Sequence, residues 1–144
     1  LVKSNAPITR TFESKKQKGA EVDLSTVFAN SVKKAVRTVI LDQKDHLEVI
    51  DRLETRDKEA TVSWMMVTPA EAKITGKNRI ELTKDGQRML LTADTGTEVE
   101  MKIWSNVPPH EYDFRNPGTI RVGFETVIPA NRASQLKVRL IPLK

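Results

Sequence analysis

The chain has 144 residues, of which 24 are Lys or Arg and 19 are Asp or Glu, and its net charge is +5. This length suffices for one domain that buries roughly two thirds of its unfolded surface. The absence of cysteine excludes a disulfide framework and a thiolate metal site, and no apolar run predicts a membrane span or a signal peptide. Because the first residue is Leu rather than Met, we expect residues 1–144 to be a single domain cut from a longer protein.

The excess of positive charge is modest and dispersed. It favours an anionic partner such as a polyanionic glycan, a nucleic acid or a lipid surface, but only Lys15, Lys16 and Lys18 form a cluster. A nucleic-acid site would show a basic stripe interleaved with aromatic side chains, and the 2 Trp, 1 Tyr and 4 Phe are spread along the chain. The sequence therefore predicts neither nucleic-acid binding nor membrane binding.

Short strands are predicted near the start of the chain. Residues 8–12 alternate in polarity directly after Pro7, which indicates an edge strand. The basic segment at 14–19 is expected to be a solvated loop, and residues 20–23 to form a second short strand.

Residues 24–40 carry two conflicting patterns. Their apolar residues recur at spacings of three and four, which is typical of an amphipathic helix that Asp23 or Ser25 could cap. The second half of this segment is rich in β-branched side chains, which favour a strand. We therefore predict a short helical turn over residues 24–30 and a strand over residues 32–41.

A polar turn and a second strand follow. Residues 46–55 alternate in polarity after the turn at 42–45, so the two strands are expected to form a hairpin. On one face of the second strand, Asp51 stands between Val49 and Leu53, where an apolar residue is expected. Asp51 is therefore either an inward carboxylate paired to a basic side chain or the marker of a β-bulge.

The middle of the chain predicts a buried strand and a tight hairpin. Val62, Trp64 and Met66 share one face of a strand of about eight residues, so Trp64 is expected in the core. Further along, Asp85-Gly86 is a dipeptide that accepts the positive φ values of a tight reversal, and it predicts a hairpin.

The last third of the chain combines strands with one long loop. Residues 98–104 alternate with Trp104 facing outward, and residues 120–124 and 136–140 alternate in the same way. Between them, residues 106–118 lack periodicity and contain three prolines, which predicts an extended loop. The strands predicted along the whole chain number about nine or ten. The sequence therefore predicts an all-β fold, an antiparallel β-sandwich with at most a short helical turn near residues 24–30.

Few residues are candidates for chemistry. His46 follows a turn and is expected to be solvated. His110 and Tyr112 form a pair suited to proton abstraction, but a structural role for His110 is favoured because neighbouring residues on an extended loop diverge. Trp104 and Tyr112, together with His110, are carbohydrate-binding candidates, since aromatic faces suit the C–H faces of a pyranose ring.

Residues 23–55, an Asp-containing turn and two strands that end in Asp51-Arg52-Leu53, resemble the C-terminal β-sheet region of heparinase II/III-like polysaccharide lyases. The resemblance covers roughly residues 20–95 and rests on apolar patterns. It implies a secreted or periplasmic enzyme that cleaves uronic-acid-containing glycans by β-elimination. The implied partners are an anionic polysaccharide and an upstream α-helical catalytic domain of the same protein.

The resemblance implies no catalytic residue and no cofactor in this chain, because the family's catalytic histidines and tyrosine lie upstream of the region covered. A family member with a structural zinc has an Asp in a turn like that of Asp23 and a His after a Trp-apolar-apolar run. Here Trp64-Met65-Met66 is followed by Val67, which cannot ligate zinc. Asp23 is therefore at most a remnant of a metal site and is expected to be a turn or helix N-cap residue.

We accordingly expect a non-catalytic domain that supports the catalytic domain or lines one wall of the substrate cleft. The alternative is a free-standing carbohydrate-binding or adhesion β-sandwich that shares only the fold. A purely structural subunit that packs against another chain is a third possibility.

Overall fold

The structure, a computed structural model, describes residues 5–108 and 110–144, which form strands and turns without a helix. The strands are β1 (Ile8–Glu13), β2 (Gln17–Asp23), β3 (Val32–Asp42), β4 (Leu47–Thr55), β5 (Ala60–Thr68), β6 (Glu71–Gly76), β7 (Arg79–Lys84), β8 (Gln87–Asp94), β9 (Glu100–Ser105), β10 (Ile120–Ile128) and β11 (Ala133–Leu143). In the described part of the chain, no helix has the length and hydropathy needed to cross a bilayer.

The strands form two antiparallel sheets. The large sheet has the order β1-β2-β3-β4-β11-β8-β7-β6, and the small sheet has the order β5-β10-β9. Consecutive strands joined by tight turns pair as hairpins, whereas β11 returns from the end of the chain to lie between β4 and β8. The prediction of an antiparallel all-β sandwich is confirmed.

The core lies between the small sheet and strands β4, β7, β8 and β11 of the large sheet. Alternate residues of each strand face inward, and burial of each large apolar side chain contributes about 1.5–3 kcal/mol. The rings of Trp64 and Phe124 stack with their centroids 6.1 Å apart, so the predicted core position of Trp64 is confirmed. The largest fully buried side chains are Phe124, Ile80, Leu91, Ile128, Leu136, Val122 and Val138.

The segment with two conflicting patterns contains one helical turn and a strand. Phe28 N–H donates to the carbonyl of Leu24 at 3.2 Å, and Val32 N–H donates to the carbonyl of Phe28 at 2.9 Å. From Val32 onward the chain is β3, which pairs with β2 on one side and β4 on the other. Because β-branched residues suit a pleated strand, the apolar spacing that imitates a helix does not extend the turn.

The Asp-Gly hairpin forms as predicted. Asp85 and Gly86, with φ of 49° and 75°, connect β7 to β8, and Lys84 pairs directly with Gln87. Positive φ at both central residues is the requirement of the tightest hairpin turn, and Asp-Gly meets it.

One local prediction was wrong in part, and one strand was not predicted. The segment 14–19 was expected to be a loop, but β2 begins at Gln17, because pairing with β3 outweighs the polarity of these residues. Strand β6 was not predicted, since it is short and rich in Ala, Glu and Lys, residues that are depleted in strands. These differences bring the described strands to the eleven given above.

Candidate functional site

The segment between β9 and β10 is a long excursion that is tied together at its base. The amide of Asn106 donates to Thr119 Oγ1 at 2.7 Å, and that hydroxyl donates to the carbonyl of Asn116 at 2.7 Å. Proline removes backbone donors, so this segment does not extend either strand. The result is a loop presented at one end of the sandwich.

The loop displays a stacked pair of rings. The centroids of the His110 and Tyr112 rings are 5.0 Å apart, with an interplanar angle of 11°. A turn in which Asp113 N–H donates to the carbonyl of His110 at 3.1 Å brings the two side chains together, a geometry that an extended backbone would not give. Tyr112 and Phe114 are 83% and 94% exposed, so aromatic surface is offered to solvent.

A depression of about 470 Å³ lies beside the stacked rings. Arg115, His110 and Glu111 line it together with the apolar rings of Pro108 and Pro117. A guanidinium binds carboxylate and sulfate-like groups through paired hydrogen bonds, and an aromatic face accepts the C–H face of a sugar. The loop thus combines the two kinds of contact that an acidic glycan requires.

Trp104 is not part of this depression. It lies on the outward face of β9, directly opposite Arg121 of β10, and is half-buried. The guanidinium of Arg121 donates to the carbonyl of Ser105 at 2.8 Å and 3.1 Å, which fixes it beside the tryptophan. The structure therefore brings His110 and Tyr112 together and leaves Trp104 as a separate platform on the small sheet.

His46 has a local structural role. Its Nδ1 lies 3.2 Å from Asp42 Oδ2, and Asp42 Oδ1 accepts hydrogen bonds from the backbone N–H groups of Lys44 and His46 at 2.7 Å and 3.0 Å. Desolvation opposes ionisation of Asp42, but these hydrogen bonds outweigh it, so the pKa of Asp42 lies below its usual value. The carboxylate closes the turn between β3 and β4.

Asp23 also acts within a turn. Its Oδ1 accepts a hydrogen bond from the backbone N–H of Ser25 at 2.8 Å, and the hydrogen bonds from Ser25 lower the pKa of Asp23. Within residues 5–108 and 110–144, no three His, Cys, Asp or Glu side chains are grouped so that they could hold a metal ion. The reading of Asp23 as a turn residue agrees with this geometry.

No protein-family model and no curated protein matches the chain. Solved structures do match. A crystal structure of heparinase III aligns with a TM-score of 0.73 and 12% sequence identity, over 96% of this chain and 21% of that chain. The heparan sulfate lyase HepC from Pedobacter heparinus aligns with a TM-score of 0.65 and 16% identity, over 97% of this chain and 22% of that chain.

The chain shares its fold with one part of these heparinase chains. The resemblance inferred from residues 23–55 is thereby confirmed at the level of the fold, since identities of 12% and 16% carry no further information about residues. The chain spans about a fifth of the length of these heparinase chains, 21% of one and 22% of the other.

Two residues of the loop were not predicted from the sequence as candidate site residues. Phe114 and Arg115 lie in the same aperiodic segment as His110 and Tyr112. A signal was present, because an aromatic residue next to an arginine in a proline-rich loop has no strand face to occupy and must point outward. Of the two, Arg115 lines the depression, and this position became evident only from the structure.

Proposed function

We propose that this chain is a non-catalytic β-sandwich domain, comprising residues 1–144, from the C-terminal part of a secreted or periplasmic polysaccharide lyase similar to heparinase III. The whole protein cleaves uronic-acid-containing glycans such as heparan sulfate by β-elimination. The observation that carries this proposal is a fold match over 96% of the chain that accounts for only 21% of a heparinase III chain. Most of such an enzyme, including its upstream α-helical catalytic domain, lies outside these residues.

The environment of the two histidines supports a non-catalytic role. β-Elimination requires a base that removes a proton next to the uronic acid carboxylate and an acid that protonates the departing oxygen. His46 is engaged with Asp42 at a hairpin turn, and His110 is stacked on Tyr112 in a solvent-exposed loop. Neither lies in the closed, water-excluding pocket in which proton transfer is usually promoted.

The loop between β9 and β10 supports a role in lining the substrate cleft. We assign ring stacking on the glycan to Tyr112 and His110, and contact with its acidic groups to Arg115. Trp104 provides a second platform on the adjoining sheet. The positive net charge of +5 favours the approach of an anionic polysaccharide.

Steady-state kinetics of the native gene product on heparan sulfate tests this assignment. His110→Ala and Tyr112→Ala should raise KM and leave kcat within about twofold, because contacts made equally in the ground and transition states change binding alone. Val127→Ala, at an exposed position of β10, is the matched control and should change neither. A loss of kcat of about 10²–10⁴-fold in His110→Ala would instead make His110 the general acid or base.

A free-standing carbohydrate-binding module is the second candidate, favoured by the exposed aromatic rings of Tyr112 and Phe114. Calorimetric titration of the 144-residue chain with heparan sulfate oligosaccharides separates the two functions. A module of its own should bind measurably and lose affinity in Tyr112→Ala or Trp104→Ala. A cleft wall, which supplies only part of the contacts, should bind weakly or not at all.

A further inference from the structure

We propose that the free edge of β5 receives an extended segment from another part of the same longer protein, which pairs with β5 as an added strand of the small sheet. This inference rests on the proposed function, since it requires chain beyond the 144 residues. The added segment would lie beside β5 and over the neighbouring strands of the large sheet.

The sequence of β5 differs from those of the other edge strands. Among the described strands, the four at sheet edges are β1 and β6 in the large sheet and β5 and β9 in the small sheet. β1 and β6 carry charged residues and register irregularities, and β9 carries Glu100 and Lys102. These are the features that protect a sheet edge from unwanted pairing. β5 reads ATVSWMMVT over nine residues, without charge, proline or bulge.

A gap runs along the unprotected edge. It has a volume of about 320 Å³ and lies between the first half of β5 and strand β3, with the turn at residues 24–31 at its rim. The partly buried Leu53 contributes apolar surface to the gap, and Phe28 at the rim is 49% exposed. An extended segment laid in this gap would meet backbone hydrogen-bonding groups on one side and apolar side chains beneath it.

The large sheet extends beyond β5 and leaves room for such a segment. β3 contributes the buried side chains of Val32 and Ala35, whereas β1 and β2 contribute no fully buried side chain, so β1 and β2 overhang the small sheet. At the usual strand spacing, two strands extend by about 10 Å. If β5 instead paired antiparallel with β5 of a second copy, both large sheets would lie on the same side and their overhanging strands would collide. The geometry therefore favours a single segment.

The Arg37–Asp51 pair describes the chemistry of the inward side of the segment. The pair lines the gap, and the side chain of Arg37 is 39% exposed. The indole N–H of Trp64 is sealed from solvent and has no hydrogen-bond acceptor among the described residues, so it lies out of reach of a segment in the gap. The segment is therefore expected to be mainly apolar, with at least one acceptor facing Arg37.

Residue-resolved hydrogen–deuterium exchange of the native gene product tests the inference. In an edge strand alternate amides point to solvent and exchange rapidly, whereas in a central strand all amides are bonded. We expect every amide of β5 to exchange at least about 100-fold more slowly than in an unstructured peptide at all protein concentrations. β9, an edge strand protected by charge, provides the comparison within the same molecule.

Rapid exchange at alternate β5 amides would overturn the inference. Uniform protection that disappears on dilution would identify a second copy as the occupant and would also overturn it. Lyase activity of the same sample on heparan sulfate separates this result from the proposed function. If the protein is active and alternate β5 amides exchange rapidly, the proposed function stands and the added strand is refuted. If all β5 amides are protected and the protein is inactive, the added strand stands and the proposed lyase function is refuted.

Discussion

Asp51 accepts two hydrogen bonds from Arg37, one from Nε at 2.7 Å and one from Nη2 at 2.8 Å. The two residues are direct partners across β3 and β4 on the inner face of the large sheet. Asp51 is 6% exposed, and a carboxylate removed from water is tolerated where an opposite charge meets it with good geometry. Of the two sequence interpretations of Asp51, pairing with a basic side chain is confirmed.

Removal of Arg37 should destabilise the fold more than removal of the pair. Arg37→Ala leaves the Asp51 carboxylate buried without a partner, and we expect the free energy of unfolding to fall by about 3 kcal/mol. The double variant Arg37→Met/Asp51→Leu, which replaces both charges with apolar groups, should recover most of that loss. Urea denaturation followed by circular dichroism measures both. A double variant no more stable than Arg37→Ala would contradict this account.

Gly123 in β10 should not tolerate a side chain. A Cβ at this position would overlap the carbonyl oxygen of Trp64 on the neighbouring β5 strand, and backbone atoms cannot move aside as a flexible side chain can. We expect Gly123→Ala to cost about 3 kcal/mol, at the upper end of overpacking. Gly86→Ala is the control, because a Cβ there meets no atom within 4 Å and only the positive φ is strained, at about 1 kcal/mol. Equal losses in thermal melts would refute the steric explanation.

Stability should decline in acid because two surface carboxylates are bonded to lysines. The hydrogen bond from Lys33 lowers the pKa of Glu54, and hydrogen bonds from Lys102 and then Ser63 lower the pKa of Glu125. The pKa of each carboxyl group is lower in the folded protein than its ordinary value of 4.5. The stability that each group contributes is therefore fully present above pH 4.5 and is lost as the pH falls through the pKa of the folded protein.

The measurement is Tm as a function of pH. We expect Tm to decline below about pH 4.5, as these carboxylates become protonated. The variant Glu54→Gln/Glu125→Gln should show a smaller decline over the same range, since its amides do not titrate. An unchanged acid dependence in that variant would show that other groups control it.

Much of the fold could be predicted from local chemistry. The Asp85-Gly86 turn fixed one hairpin, and the β-branched residues of β3 decided between helix and strand after a single turn. The inward position of Asp51 was visible from alternation alone. Its partner Arg37 was not assigned, because that choice depends on the register across the turn at residues 42–45.

Other features depend on tertiary pairing and were beyond the sequence. β6 has weak strand propensity and forms because it pairs with β7. The unequal widths of the two sheets follow from β11 inserting between β4 and β8, a long-range choice that no local pattern encodes. In the loop, the stacking of His110 on Tyr112 depends on one turn hydrogen bond. The two residues could therefore be named as candidates from the sequence, but the arrangement of their rings could not be predicted.

The most direct test is a lyase assay of the isolated 144-residue chain beside the native gene product, with heparan sulfate as the substrate. Unsaturated uronic acid products absorb in the ultraviolet, and circular dichroism with a cooperative melt verifies that the isolated chain is folded. We predict a rise in absorbance for the native gene product and none for the folded chain alone. A rise produced by the folded chain itself would contradict the claim that the catalytic residues lie elsewhere.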